Sequence, residues 1–137
     1  MKIKSEKLLS IFLYLVFLHS LIAGLLLIFL PVETMKFFGF PEFENNFFRA
    51  QGGVFHVVLC IAYLKGANNP VKNNLYINFS YTAKFMAFVF LTVYYLLINH
   101  ILVVLLSGIA DLMMGIIIFV LNKNIIKTNN CHVQAER

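Results

Sequence analysis

The sequence predicts an all-α integral membrane protein, an antiparallel four-helix bundle formed by a single domain of residues 1–137. The chain is 61% hydrophobic and only 12% charged, which does not fit a soluble globular protein. It contains four runs that are apolar around the whole helix and long enough to cross a bilayer. Short polar connections separate these runs, so consecutive helices have to be antiparallel.

The first predicted span covers residues 8–30, after a short basic N-terminal segment. A cleaved signal peptide would have an apolar region of about 7–15 residues that ends at small residues before a polar start. Here Ala23 and Gly24 are followed by another apolar stretch, so cleavage would leave an apolar segment at the start of the mature protein. We therefore expect a retained span, which ends at Pro31 because proline has no amide hydrogen for a continuing helix.

The connection after the first span, residues 31–46, is acidic and rich in phenylalanine. It carries Glu33, Glu42 and Glu44 against a single Lys36. Aromatic side chains favour the membrane interface. The sequence leaves two interpretations open, a lid over the end of the bundle and a segment that simply lies along the interface.

The second predicted span, residues 47–64, contains the most polar stretch of the apolar part of the chain, with Arg49, Gln51 and His56. A charge at mid-membrane costs roughly 2.5–3.5 kcal/mol on insertion scales, so partner helices should cover this stretch. Arg49 and His56 share one helical face. Gly52 and Gly53 should let a neighbouring backbone approach closely.

Each of the last two predicted spans carries one mid-membrane charge. A loop over residues 65–75 leads to the third span, residues 76–97, which contains Lys84. The fourth span, residues 101–121, contains Asp111 between Gly108 and Gly115 on one face. The remaining residues, 122–137, are polar, and we expect them to form a frayed cytoplasmic tail.

Loop charges predict the orientation of the bundle. One side would carry most of the basic residues: Lys2, Lys4, Lys7, Lys65, Lys72, Lys123, Lys127 and Arg137. The positive-inside rule then places both termini in the cytoplasm of a multi-pass protein of the inner (plasma) membrane. This topology explains the net charge of +5, so no nucleic acid partner is expected.

Four ionisable residues on four helices are predicted to meet at one level of the membrane. Counting 1.5 Å per residue from the cytoplasmic ends puts Lys84 and His56 at a depth of about 12 Å. Asp111 lies at about 15 Å and His19 at about 16 Å, whereas Arg49 is further out at about 22 Å. Polar side chains that have no structural or functional role would occur more often near helix ends, where they can extend to the membrane interface.

These residues form a candidate ligand-binding set, with Arg49 and Gln51 at the mouth and His56, Lys84 and Asp111 at the floor. Lys84 and Asp111 are either a structural ion pair that fixes the helix register or a proton-responsive or ligand-binding pair. His56 either donates to a backbone carbonyl or acts as a base, proton carrier or metal ligand. Arg49 either receives an anionic group, or pairs with a loop glutamate or reaches the headgroups.

The sequence assigns no catalytic residue, metal or cofactor. It has no Ser/His/Asp order, glycine-rich phosphate loop or CxxC motif. A metal could only recruit His19, His56 and Asp111, and neither HxxxH nor HxxE spacing occurs. Cys60 and Cys131 form no motif, and we expect both to be reduced.

Short motifs in three spans carry a family resemblance. They are Phe47-Phe48-Arg49-Ala50-Gln51-Gly52-Gly53, Ala83-Lys84 and Gly108-Ile109-Ala110-Asp111. With these motifs the chain, from Leu8 to Leu121, resembles the DoxX-like small bacterial four-helix membrane proteins. The resemblance implies an antiparallel bundle in the inner membrane. Many such proteins have no assigned activity, so it implies no catalytic residue.

The leading hypothesis is a small membrane protein with an intramembrane polar pocket. It would bind a small amphipathic or lipid-like ligand, or serve as an accessory subunit of a larger membrane complex or a homo-oligomer. One alternative is a proton-linked carrier of small solutes, with His56 and Asp111 exchanging protons. Another is a membrane enzyme that modifies a lipid or isoprenoid, with one of these residues as acid or base. The last alternative is a scaffold protein that binds no ligand.

Overall fold

The computed structural model describes residues 2–40 and 46–135, with side chains for residues 5–40 and 46–127. It contains five helices, which are α1 (Lys2–Phe29), α2 (Val32–Phe37), α3 (Phe47–Asn68), α4 (Asn74–Leu97) and α5 (Leu102–Ala135). No strand occurs in these described ranges. The predicted all-α fold class is confirmed.

Four of the helices are long and apolar enough to cross a membrane. The candidate spans are Ser5–Phe29, Phe47–Asn68, Asn74–Leu97 and Leu102–Lys127. They run alternately up and down, so both termini lie at one end of the bundle, which we call the terminal end. The connection after α1 and the α4–α5 hairpin lie at the opposite end, which we call the far end. The chain is a multi-pass membrane protein.

Helix α3 continues to Asn68, beyond the predicted loop start at residue 65. The reason is that Gly66, which marks a loop by composition, is a packing residue here. A Cβ atom on Gly66 would lie 3.2 Å from the Ile77 Cγ1 atom and 3.3 Å from the Leu13 Cδ1 atom, so these side chains would have to shift by a few tenths of an ångström to admit one. Ala67 is buried beside it and its carbonyl accepts a 2.7 Å hydrogen bond from the Ser10 hydroxyl.

Helix α5 also continues, through residues 122–135, where we expected a frayed tail. The predicted helix end at residue 121 was therefore wrong: the segment contains no glycine or proline, and its first described side chains pack on the bundle. The expected fraying of the tail stays a prediction. Asn122 is buried and its Nδ2 atom donates to the Oδ1 atoms of Asn74, at 2.8 Å, and Asn78, at 3.1 Å. Ile125 is buried one turn later. The fourth helix therefore extends past the hydrocarbon span at the terminal end.

The four long helices form a ring in which α1 contacts α3 and α5, and α4 contacts the same two helices. The pairs α1–α3 and α4–α5 pack most closely. Leu9, Leu13 and Val16 of α1 belong to the central apolar cluster of the terminal half. The rest of that cluster is Tyr63, Ala67, Ile77, Ile118 and Ile125. The outward faces of the helices are apolar as well, as lipid contact requires.

A glycine contact explains why α1 and α3 lie so close together. A Cβ atom on Gly53 would lie 2.6 Å from the carbonyl oxygen of Gly24, and one on Gly24 would lie 2.8 Å from that of Gly53. The expected close approach is therefore correct for Gly53. It is wrong for Gly52, where an added Cβ would meet no atom within 4 Å.

The connection between α1 and α3 is partly helical. Met35 of α2 is buried, which fixes this segment to the bundle. Gly39 has a φ of +87°, a left-handed conformation that glycine adopts without steric penalty, and it ends α2 close to Ile101. Residues 41–45, with Glu42 and Glu44, lie outside the described residues. The lid and interface interpretations thus both stay predictions.

Candidate functional site

A buried ion pair joins α4 to α5 near mid-membrane. The Lys84 Nζ atom lies 2.6 Å from the Asp111 Oδ1 atom. Lys84 is 2% exposed and Asp111 is 6% exposed, so both side chains point into the bundle and neither faces lipid. Pairing offsets part of the large free-energy cost of moving each charge out of water. The predicted meeting of Lys84 with Asp111 is confirmed.

Glycines on α5 let α4 pack close enough for Lys84 to contact Asp111. A Cβ atom on Gly115 would lie 3.0 Å from the Phe85 ring and 3.4 Å from the Lys84 Cβ atom. One on Gly108 would lie 3.3 Å from the Leu91 Cβ atom. Because both positions are glycine, α4 packs closely along the face of α5 that carries Asp111. The predicted glycine notches on either side of the carboxylate are therefore used for packing.

Tyr63 and Ser20 complete the surroundings of the ion pair, and sequence reasoning missed both. The Lys84 Nζ atom lies 5.7 Å from the centroid of the Tyr63 ring, within the range of a cation–π interaction. Tyr63 is 1% exposed and Ser20 is fully buried. The Ser20 hydroxyl is a side-chain neighbour of the Tyr63 hydroxyl. Neither, however, makes a hydrogen bond of normal distance and angle.

Helical spacing was the signal that could have identified Ser20. Leu9, Leu13, Val16 and Gly24 lie on the inward face of α1, and Ser20 falls in the same series of three- and four-residue steps. A serine in that series has to point into the bundle. No comparable signal marks Tyr63, because the loop we predicted began only two residues later.

The two histidines lie near the ion pair, as the depth estimate predicted. His19 and His56 are each close enough to interact electrostatically with both Lys84 and Asp111. The Nδ1 atom of His56 is buried and has no hydrogen-bond partner, so this atom does not donate to a backbone carbonyl. His19 faces outward from α1. The four helices therefore bring four ionisable side chains to one level.

Arg49 lies at the far end and does not join this cluster. Its Nη1 atom donates to the carbonyl oxygen of Leu30, at 2.7 Å, directly after the last turn of α1. Such end carbonyls have no partner within their own helix. Its Nε atom is buried and has no partner among the described residues. Arg49 thus ties the start of α3 to the end of α1.

Gln51 is exposed and points away from the bundle. Gly53 faces α1, and two residues correspond to a rotation of about 200° around a helix, so Gln51 has to face the opposite way. Gln51 therefore does not join the buried polar residues, and its place at the mouth of a pocket stays a prediction. Of the five predicted site residues, the structure brings together His56, Lys84 and Asp111 and leaves out Arg49 and Gln51.

A groove of about 350 Å³ runs between α1 and α5 on the lipid-facing side. We call it the α1–α5 groove. Its lining is apolar except for one histidine: Phe12, Leu15, Val16, His19, Ala110, Met113, Met114 and Ile117. The groove reaches the ion pair level, since His19 precedes Ser20 and Ala110 precedes Asp111 in the chain. Ser20, Tyr63, Lys84 and Asp111 do not themselves line the groove, whose polar lining residue is His19.

The described side chains contain no group of three or more His, Cys, Asp or Glu residues close enough to hold a metal ion. The set considered above, His19, His56 and Asp111, is not such a group. Cys60 is a buried free cysteine whose Sγ atom lies 3.3 Å from the carbonyl oxygen of His56. It fills space between α1 and α3, as its apolar surroundings suggest.

Replacing Arg49 by methionine tests the contact at the far end. We expect Arg49→Met to lower the free energy of unfolding by about 1–2 kcal/mol, because a charged donor to the Leu30 carbonyl is lost. Gln51→Met is the matched control, since Gln51 is exposed and should change little. Unfolding with SDS in mixed micelles, followed by far-UV circular dichroism, measures both. Equal effects of the two substitutions would contradict the contact.

Comparisons of the chain with protein family models, with curated proteins and with solved structures found no match. The candidate site is described by its own geometry. It consists of a buried Lys84–Asp111 ion pair, the unpartnered hydroxyls of Ser20 and Tyr63 beside it, and a lipid-facing groove at the same level.

Proposed function

We propose that this protein binds a small amphipathic, lipid-like ligand inside the membrane. The apolar part of the ligand occupies the α1–α5 groove. Its polar part turns towards the polar cluster, which we define as Ser20, Tyr63, Lys84 and Asp111. One observation carries the proposal: an apolar groove that opens to lipid lies at the level of the buried ion pair, and its polar lining residue, His19, interacts electrostatically with that pair.

Unpartnered polar atoms in this position are expensive. An unsatisfied buried donor or acceptor costs about 1–3 kcal/mol, and folded proteins leave few of them. The hydrocarbon region of a bilayer holds no water that could supply the missing hydrogen bonds. A polar group that reached the buried Ser20 Oγ, Tyr63 hydroxyl or His56 Nδ1 atom would lower this cost, and His19 is the polar residue of the groove along which an amphipathic molecule would approach.

Membrane location and orientation form part of this proposal. We place the protein in the inner (plasma) membrane with both termini in the cytoplasm. Support comes from the exposed lysines Lys65, Lys72, Lys123 and Lys127, which gather at the terminal end. The up-and-down bundle agrees with a DoxX-like architecture, and membership of that family stays a prediction.

The other roles that the sequence leaves open also stay predictions. A proton-linked carrier would use His56 and Asp111, and its support is that both histidines interact with the ion pair. A membrane enzyme would need a substrate atom within hydrogen-bond reach of such an acid or base. An accessory role would place another chain against the apolar outer faces.

Photocrosslinking tests the ligand site directly. The probe is 1-tetradecanol with a diazirine in its alkyl chain, added to the purified protein in lipid nanodiscs. We expect the label on peptides from α1 and α5 that line the groove. Filling the groove with Ala110→Trp should lower labelling about tenfold, the change produced by roughly 1.4 kcal/mol of lost binding free energy.

Ile109→Trp is the matched control, because Ile109 neighbours Ala110 but lies on the exposed surface outside the groove. It should leave labelling almost unchanged. Label spread evenly over the four helices, or a groove-filling variant that labels as well as the parent protein, would overturn the proposed function.

A further inference from the structure

A second lipid-facing groove lies between α3 and α4, on the side of the ring opposite the α1–α5 groove. We call it the α3–α4 groove. Its volume is about 460 Å³, and it is lined by Val58, Ile61, Ala62, Leu75, Tyr76 and Phe79. The helices α3 and α4 form one of the two looser contacts of the ring. Ala62 is buried and the other five lining residues are exposed, so a small side chain forms the floor and the groove opens to lipid.

The α3–α4 groove begins at the terminal end, where the membrane interface lies. Leu75 and Tyr76 belong to the first turn of α4, which starts at Asn74. From there the groove extends inwards to Val58, which precedes Lys65 of α3 by about 10 Å along the helix axis. A phospholipid acyl chain has the same course, since it starts at the interface and runs towards mid-membrane. Tyrosine is typical of that interface, where its hydroxyl meets the head groups.

Lys65 lies at the interfacial end of this groove. It follows Ile61 by four residues, Ala62 by three and Val58 by seven, so all four lie on one face of α3. Lys65 is exposed and is one helical turn closer to the terminal end than the apolar lining. A positive charge therefore stands directly above the apolar groove on the same helix.

Lys72 lies at the same end, in the short connection between α3 and α4. Two hydrogen bonds hold this connection against the end of α3. The Asn73 Nδ2 atom donates to the Lys65 carbonyl oxygen at 2.7 Å, and the Lys72 amide donates to the Asn69 Oδ1 atom at 3.1 Å. The first of these bonds joins the residue after Lys72 to Lys65 itself. The fold thus brings two exposed lysines to the place where the groove meets the interface.

The positive charge of these two lysines is not balanced by the protein. Neither Lys65 nor Lys72 forms an ion pair with a side chain that the structure describes. Glu6 is the one acidic group among the described side chains of the terminal end, and it belongs to α1, across the ring from α4. A basic site between membrane helices at the interface favours an anionic lipid head group.

We infer that the α3–α4 groove binds an anionic phospholipid from the leaflet at the terminal end. One acyl chain lies in the groove, and the phosphate group contacts the ammonium groups of Lys65 and Lys72. A zwitterionic phospholipid binds more weakly, because its own cationic group is repelled by the same lysines. This site is separate from the α1–α5 groove and does not depend on the proposed function.

Native mass spectrometry of the delipidated protein in detergent tests the lipid class. The protein is titrated with dioleoyl phosphatidylglycerol, which is anionic, and with dioleoyl phosphatidylcholine, which is zwitterionic and has the same acyl chains. We expect the first phosphatidylglycerol molecule to bind about tenfold more tightly than the first phosphatidylcholine, as two interfacial lysines together predict.

The double variant Lys65→Gln, Lys72→Gln tests the head-group contacts, and it should remove most of this preference. The matched control is Lys123→Gln, Lys127→Gln, which removes two exposed lysines from the same end of the bundle but from α5, away from the groove. The control should keep the preference for phosphatidylglycerol. A thermal melt checks that each variant is folded, which we expect because all four lysines are exposed.

Val58→Trp tests the acyl-chain contact, because it fills the inner end of the groove. It should weaken the binding of the first phosphatidylglycerol severalfold. Val54→Trp is the matched control, since Val54 is a similarly exposed valine one turn deeper on α3 that does not line the groove. This control should bind the lipid as the parent protein does.

The outcomes decide the inference without reference to the α1–α5 groove. Equal affinity for the two lipids, or equal effects of the two lysine pairs, overturns it, since the preference would then be absent or would belong to the whole basic end. Unchanged lipid binding in the folded Val58→Trp variant overturns it as well. A preference for phosphatidylglycerol that is lost with Lys65 and Lys72, and kept without Lys123 and Lys127, supports it.

Discussion

Lys84→Met is expected to lower the free energy of unfolding by about 3–5 kcal/mol, because it leaves the Asp111 carboxylate buried without its partner. Asp111 is only 6% exposed, so water cannot replace the lost ammonium group. Asp111→Leu should have an effect of similar size, since it strands the Lys84 charge instead. SDS unfolding in mixed micelles measures both variants.

The double variant Lys84→Met, Asp111→Leu distinguishes a buried pair from two independent charges. Replacing both partners by apolar residues removes the need for pairing, so we expect a stability close to that of the parent protein. Lys65→Met is the control for loss of a lysine at an exposed position. A double variant that is as unstable as the sum of the single variants would contradict the ion pair as described.

Gly53→Ala is the second substitution with a large expected effect. Its Cβ atom would lie 2.6 Å from the Gly24 carbonyl oxygen and 2.6 Å from the Ile28 Cγ1 atom, so α1 and α3 would have to separate. Overpacking of this kind costs typically 1–3 kcal/mol, and backbone atoms have little room to relax. We expect a loss of at least about 2 kcal/mol in unfolding free energy, measured by SDS titration.

Gly52→Ala is the matched control because it makes the same chemical change one residue away. An added Cβ at position 52 meets no atom within 4 Å, and alanine has the higher helix propensity. We expect no loss of stability there. If both alanines destabilised the protein equally, the close crossing of α1 and α3 at Gly53 would be wrong.

Much of the fold could be predicted from hydropathy, because lipid imposes a simple constraint on the backbone. A chain that crosses a bilayer has to satisfy its own peptide groups, so long apolar runs become helices and short connections make them antiparallel. The two predicted helix ends that were wrong, at residues 64 and 121, are places where side-chain packing outweighs local composition. Gly66 and Asn122 both resemble loop residues in sequence and are buried contacts in the structure.

The charged residues of the candidate site could be predicted from the sequence, but its two buried hydroxyl groups could not. An ionised residue in an apolar run is conspicuous, and matching depths were enough to pair Lys84 with Asp111. Serine and tyrosine carry no charge that would stand out in an apolar run, so Tyr63 gave no such signal and Ser20 could be identified only by its helical spacing. Gln51, which we predicted at the mouth of the site, is exposed on the face of α3 that points away from α1, because the rotation of a helix is set by its packing contacts.

The sequence by itself determined that the chain forms four membrane-spanning helices, with opposite charges on the last two, because burial in hydrocarbon leaves few alternatives for such residues. Only the tertiary structure decided which faces meet. The rotation of each helix depends on side-chain and glycine contacts such as Gly24 with Gly53, which involve residues far apart in the chain. Those contacts place two unpartnered hydroxyls beside the ion pair and leave a groove open at the same level.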